Sequence, residues 1–282
     1  TDWEAIVINN YSEDDTISIV ASFLDSRIRL ENFRNGGNIA ASRNKGIALA
    51  QGYYIAFLDS DDTWHPDKLA RVIPFLDKGS DLVCHALRRI GDGAGNIYCG
   101  PQQDATFDAL LDKGCCIYTS ATIVRKNTLV SVGNFSEDTA VITAEDYHLW
   151  LKISQTKANM VFITEILGES RVHKGNQSGS VLRHLSAVLR VIDEFLPVDE
   201  SSGIKHRMRV RKCEGMVYYG AGRQLQSTGQ AGKAWPMLFR SLIYWPINIK
   251  TYVALGINVF TLIMSILMKW HKNRAADKIQ SD

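Results

Sequence analysis

"GNIAASRNKGIALAQGYYIAFLDSDDTWHPDKL", residues 37–69, decides the fold class. A Gly-rich turn leads into an Ala-rich helix that Gly52 closes. "YYIAFLD" then reads as a strand, apolar throughout, as expected of a central parallel strand covered on both faces. Three aspartates, Asp59, Asp61 and Asp62, follow within four positions. Pro66 occupies the favoured first position of a further helix, "PDKLARVIPFLDKG".

The same alternation extends outward in both directions. "EAIVINN" reads as a buried strand, followed by a polar turn and a helix from near Asp14 whose apolar residues share one face. "IRLENF" and "DLVCHAL" are further strands. Strands that alternate with helices predict an α/β domain with a mostly parallel sheet and helices on both faces. Ligands of such sheets bind outside the carboxyl ends of the strands, where both "NNYS" and "DSDD" fall. Residues 91–105 read as a loop or hairpin, and 106–170 mix short helices and strands. From about Ser180 the pattern is helical to the end, so the expected division is 1–180 and 181–282. Tyr218, Gly222, Leu225, Ala234, Leu238, Ser241 and Pro246 fall at the spacings of one tetratricopeptide-like unit, which predicts a helical hairpin.

The bulk numbers narrow the class. The chain has 282 residues, 45% of them hydrophobic, enough for one sizeable core with an appended subdomain. A net charge of +2 gives no field that points to nucleic acid. The five cysteines are odd in number and form no CxxC pair, which suits reduced thiols in a cytoplasmic compartment and speaks against a zinc site. The N-terminus shows no signal peptide and no initiator Met, and reads as starting inside a longer gene product.

Three carboxylates at a strand end can form a solvated turn, a helix cap or a divalent-metal site. Asp62 suits a cap for the helix at Pro66. Asp59 and Asp61, spaced i and i+2, are hard oxygen ligands that suit Mg²⁺ or Mn²⁺.

Residues 37–69 strongly resemble the family-2 glycosyltransferases of the GT-A fold. Ser42, Arg43 and Asn44 stand for that family's Ala-Arg-Asn, and Asp59-Ser60-Asp61 for its Asp-x-Asp motif. Three further segments fit in order: "TSATIVRKNTLVSVGNFSE" on the acceptor side, "AEDYHLWLKIS" with the Glu-Asp pair, and "ESRVHKGNQS" as an Arg-x-His loop. The resemblance covers roughly residues 3–180.

It implies inverting transfer of a sugar from a nucleotide-diphosphate donor to an acceptor hydroxyl, in bacterial cell-surface polysaccharide or glycolipid synthesis. Asp146 is the implied general base, with Glu145 beside it shaping the site. Asp61 is the implied metal ligand, and Asp59 contacts ribose or the metal. Asn10, Arg43, Arg171 and His173 complete the implied donor-binding set. The implied cofactor is Mg²⁺ or Mn²⁺, and the acceptor is a glycan or a lipid-linked glycan. Trp64 and His65 are candidates for lining the cleft, while Trp150 reads as core.

Two departures stand out. Asn9 and Asn10 replace the family's Asp-Asp, which keeps a carbonyl acceptor for the nucleobase but removes its charge. The family's first strand and helix have no counterpart here. That strand is central, so its absence leaves two inner edges unpaired. About thirty further residues are expected in a complete relative, with weak donor binding when they are missing.

"TYVALGINVFTLIMSILM", residues 251–268, carries no charge and approaches spanning length. Thr251, Asn258, Thr261 and Ser265 mark a thin polar stripe along it. A spanning helix, an interfacial helix and a buried packing helix all fit. Basic flanks favour the cytoplasmic face of an inner-membrane surface. The competing functional readings are a nucleotidyltransferase-like enzyme, which would share the sheet and the aspartates, and an inactive module that binds a glycan or partner. The first lacks its Gly-rich basic loop here, and the Glu145–Asp146 segment argues against it.

Overall fold

The computed structural model describes residues 2–91, 94–172 and 180–279, with side chains described through Arg171 and Met264 in the last two segments. The chain forms two compact units, Thr1–Gly179 and Ser180–Asp282.

The first unit runs β1 (Ala5–Asn9), α1 (Thr16–Ser22), β2 (Ile28–Asn32), α2 (Ile39–Leu49), β3 (Tyr54–Ala56), β4 (Thr63–Trp64), α3 (Lys68–Asp77), β5 (Leu82–Gly91), β6 (Gly95–Ile97), α4 (Phe107–Lys113), β7 (Thr122–Arg125), α5 (Lys126–Ser131), α6 (Glu145–Gln155) and β8 (Met160–Val172). β1 and β2 form a two-stranded parallel sheet. The larger sheet has the order β3-β7-β5-β8-β4, with β6 added on β5. Its core forms where Val72 and Leu76 of α3 pack on Val83, Ile123 and Leu167 of the sheet.

The α/β class and the helical tail are as expected, but the sheet is mixed rather than mostly parallel. Among the described residues only β1–β2 and β5–β8 pair in parallel. β7 runs opposite to both of its neighbours, β3 and β5. That reversal matters for the site. The N-terminal end of β7 lies at the same edge as the C-terminal end of β3, so the turn before β7 meets the aspartates after β3.

β3 is also shorter than "YYIAFLD" predicts and is not central. Among the described residues it pairs with β7 alone. β1 likewise pairs, among the described residues, only with β2 and is mostly half-buried. The apolar face expected of the first helix finds little cover, for α1 has no buried residue, and Ile17 and Ile19 are exposed. A two-stranded sheet offers too little surface to bury them. Pro66 lies outside α3, which starts at Lys68 after Asp67.

The second unit is four helices: α7 (Val181–Phe195), α8 (Ile204–Ser227), α9 (Ala231–Tyr244) and α10 (Ile249–Ile279). α8 and α9 form the expected hairpin, with Tyr218, Leu225, Ala234 and Leu238 in one buried cluster. Gly222 permits the close approach: a Cβ there would sit 2.6 Å from Leu238 Cδ2. On α10, Thr251 and Asn258 of the polar stripe are buried, whereas Thr261 is exposed. Among the described residues no helix is long and apolar enough to cross a membrane; Ser265 and the rest of the uncharged stretch to 268 lie outside the described side chains.

Candidate active site

Arg43 is the centre of the site. It sits on α2, whose first turn is capped by Asn38 accepting from the Ala40 N–H. Its Nη2 donates to Asp59 Oδ1 at 2.9 Å, and its Nη1 donates to Glu145 Oε1 at 2.8 Å. Burial disfavours the guanidinium charge, but Asp59, Glu145 and Asp146 outweigh it and raise the Arg43 pKa. The next residue fastens another segment. Asn44 accepts the Phe135 N–H and donates to the Phe135 carbonyl, both at 3.0 Å. The Phe135 ring then lies 5.3 Å from the Arg43 guanidinium carbon. Phe57, Phe135 and Trp150 pack edge to face beneath, which places Trp150 in the core as expected.

Glu145 and Asp146 open α6, where carboxylates are favoured by the helix dipole. Glu145 is buried, and its Oε2 accepts the Thr143 N–H at 2.9 Å. Thr143 adopts φ 82°, a costly conformation for a β-branched residue, and the surrounding bonds hold it there. Asp146 is half-buried by exposed surface, and its Oδ1 accepts from the Tyr147 N–H at 2.7 Å. Desolvation is the largest force on its carboxyl and the Glu145 charge the next. Together they outweigh the opposing Arg43 charge and push its pKa up to about 6.

The acidic turn after β3 is held by Ser120, from the turn before β7. Ser120 Oγ accepts the Asp59 N–H at 3.0 Å. The Ser120 carbonyl accepts from Trp64 Nε1 at 2.9 Å and from Lys68 Nζ at 2.8 Å. Lys68 is 1% exposed, and its ammonium lies 3.7 Å from the centre of the Trp64 ring. Desolvation pushes its pKa down to about 7, against the pull of Cys84 and Asp62.

Asp62 does not cap α3. Its Oδ1 accepts the Arg171 N–H at 3.1 Å, and desolvation raises its pKa. The acidic turn is thereby tied to the end of β8. Trp64 pairs with Gly168 of the same strand, and His65 is exposed. His173 lies outside the described residues.

The fold brings Arg43, Asp59, Glu145 and Asp146 together, with Asp61 beside Asp62 on the same turn. Both terminal nitrogens of Arg43 bind carboxylates, so it joins the two acidic segments. Asn10 lies past the end of β1, is exposed, and accepts the Asn35 N–H at 3.1 Å. Its neighbour Asn9 is buried and bonded to Asn32, so it serves the strand pair. Ser120 and Lys68 were not identified as site residues from sequence.

Among the described residues, no group of three or more His, Cys, Asp or Glu side chains is placed to hold a metal ion by itself. The donor set still fits Mg²⁺ or Mn²⁺ of the kind held by one or two carboxylates, with substrate phosphates and water filling the remaining positions. Asp61 is half-buried on the turn and is the residue that could offer such an ion a hard oxygen; Asp59 gives Oδ1 to Arg43.

Comparison with known proteins bears on the family and the fold. Residues 1–126 match the profile described as "Glycosyl transferase family 2". The chain is 29% identical over 197 residues to the Escherichia coli UDP-Glc:alpha-D-GlcNAc-diphosphoundecaprenol beta-1,3-glucosyltransferase WfgD, covering 69% of this chain and 75% of that protein. It is 30% identical over 211 residues to WfaP of Escherichia coli, which carries the same activity in its name, covering 73% and 78%. Staphylococcus aureus TarS 1-349, solved in complex with UDP-GlcNAc, superposes with a TM-score of 0.60 at 16% identity, over 92% of this chain and 80% of that one. TarS supports the fold. The extended identity to WfaP, joined to the Arg43-linked acidic segments, sets aside the nucleotidyltransferase reading and makes this chain a family-2 glycosyltransferase.

Proposed function

We propose that the chain transfers a sugar, with inversion, from a nucleoside-diphosphate sugar to a hydroxyl of a lipid-linked glycan in cell-surface polysaccharide or glycolipid synthesis. One observation carries the catalytic reading. Asp146 sits at a helix start beside Glu145, and Arg43 connects that pair to the strand-end Asp59.

Asp146 is the general base. Its carboxylate takes the acceptor proton as the acceptor oxygen bonds to the anomeric carbon from the face opposite the leaving group. The C–O bond to the nucleoside diphosphate breaks, and inversion follows from that in-line displacement. The hydroxyl grows more acidic as it bonds to carbon, so a carboxyl with a pKa of about 6 is basic enough. Glu145 holds Arg43 and shapes the base's surroundings. Asp59 faces the donor ribose. Asn10 and Arg171 lie at strand ends where donor contacts are expected, and His173 belongs to the same reading on sequence alone. A Mg²⁺ or Mn²⁺ ion held by Asp61, with Asp59 through water, would neutralise charge on the departing diphosphate.

The lipid-linked acceptor is supported by the names of the two Escherichia coli relatives, and with it we propose a reaction at the cytoplasmic face of the membrane. The binding-module alternative is disfavoured by the intact base and its connection to the acidic turn. The test is incubation with UDP-, GDP- and dTDP-sugars and a polyprenyl-diphosphate-linked sugar, followed by determination of the product's anomeric configuration. An inverted glycoside from one donor class supports the reading. A retained configuration, or no transfer with any donor, refutes it.

A further inference from the structure

α10 fully buries Thr251 and Asn258 beside Ala254, and several of its large apolar side chains are exposed. Thr251 Oγ1 shares a hydrogen bond with Ser241 Oγ at 3.0 Å. Asn258 Nδ2 donates to the Ala231 carbonyl at 2.9 Å, and its Oδ1 accepts from Gln226 Nε2 at 3.0 Å. On the other side Ile249, Val253, Phe260 and Ile263 are exposed by 77, 58, 65 and 50%. Ile243 and Ile247, around the turn from α9, are exposed as well. A surface helix in water turns its apolar stripe inward. Here Thr251 and Asn258, which would suit water, help hold the helix down, while large apolar residues are presented outward.

Charge indicates what covers this face. Residues 215–276 contain seven Lys or Arg and no Asp or Glu, although the whole chain carries only +2. Lys233, Arg240 and Lys250 are exposed on the same two helices. A second copy of the chain would oppose this cationic region with an identical one. A surface of acyl chains beneath anionic headgroups satisfies both halves of the pattern. Exposed apolar surface rimmed by cations is the expected form of such a contact.

We propose that α10 and its turn from α9 lie in the interface of an anionic phospholipid bilayer, with Ile249, Val253, Phe260 and Ile263 inserted and the surrounding lysines and arginines at the headgroups. The proposal deepens the lipid-linked acceptor reading and rests on it for its purpose, though not for its evidence. The contact tethers the enzyme to the surface that carries its acceptor.

The test is flotation of the full chain with vesicles of phosphatidylcholine alone or mixed with phosphatidylglycerol. Binding to the mixed vesicles should exceed binding to the neutral ones by about tenfold or more and fall with salt. The variant Ile249→Glu/Phe260→Glu should lose about tenfold of that binding. Its helix content by circular dichroism and its transfer to a water-soluble acceptor analogue should be unchanged. Equal vesicle binding by variant and parent overturns the proposal. So does a parent that ignores anionic vesicles but forms a dimer which the variant abolishes. A parent that binds anionic vesicles but transfers no sugar to any acceptor refutes the catalytic reading while upholding the docking face.

Discussion

Arg43 and Glu145, 102 residues apart in sequence, meet in a 2.8 Å hydrogen bond, with Arg43 also holding Asp59. Their side chains are only 12% and 8% exposed. Removing one partner of a buried pair strands the other's charge, at a cost of about 3–5 kcal/mol. Arg43→Met should therefore lower stability in urea by roughly that amount. The double variant Arg43→Met/Glu145→Gln should recover most of the loss. Equal stability of Arg43→Met and the parent would show that the connection contributes nothing.

Asp146 gives two opposite pH dependences. As a base it must be ionised, so kcat/KM should rise as pH passes upward through about 6. Its pKa in the fold lies above the ordinary value of 3.8, so between those values the folded state binds more protons than the unfolded one. Its contribution to stability is therefore fully present below about 4 and is lost as pH rises through about 6. Asp146→Asn should abolish both effects and cut kcat by about 10²–10⁴. Unchanged transfer by that variant removes Asp146 as the base. Because the Arg43 charge lowers the Asp146 pKa, Arg43→Met should also move the activity limb to higher pH.

The local motifs of this site were legible in sequence, and the long-range connections were not. Asp59, Asp61, Glu145 and Asp146 announce themselves by clustering at a strand end and a helix start. The burial of α8 and α9 residues followed from spacing, because helical periodicity is local. The direction of β7 is a property of strand pairing, which periodicity does not carry. Ser120 acquires its importance from that reversal, and Lys68 from being buried under the turn that Ser120 holds. For α10 the polar stripe was visible, but which side faced inward depended on Ser241, Gln226 and the Ala231 carbonyl, all on other helices.

Metal dependence should be readable through Asp61. Chelation with EDTA should abolish transfer, and added Mn²⁺ or Mg²⁺ should restore it. Asp61→Asn keeps the shape of the side chain but removes its charge. It should raise the metal concentration needed for half-maximal activity by about tenfold or more. Full activity of the parent in EDTA would remove the metal from the reading.

Lys68 predicts a stability change on the alkaline side. Its pKa in the fold is about 7, below the ordinary value of 10.5, so the unfolded state holds the extra proton between them. Stability should rise with pH across that window. Lys68→Met should flatten the rise and leave the Ser120 carbonyl with Trp64 Nε1 as its remaining side-chain donor. Urea unfolding at several pH values decides the matter. A slope unchanged by the substitution would mean that Lys68 is hydrated and charged in solution.

Gly168 tests whether the acidic turn depends on β8. A Cβ at this position would lie 2.7 Å from the Thr63 carbonyl oxygen and 3.1 Å from Leu87 Cδ2. The first of these atoms is backbone and cannot rotate away. Gly168→Ala must therefore push β4 off β8, which should cost about 1–3 kcal/mol. β4 carries Trp64, whose indole N–H is bonded to Ser120, and Ser120 in turn holds Asp59. The displacement should reach the donor side of the site, raising KM for the nucleotide sugar more than it lowers kcat. Asp146 lies on α6, outside that chain of contacts, so the pH limb near 6 should stay in place. A Gly168→Ala enzyme with parental melting temperature and parental KM would show that the acidic turn does not depend on that strand.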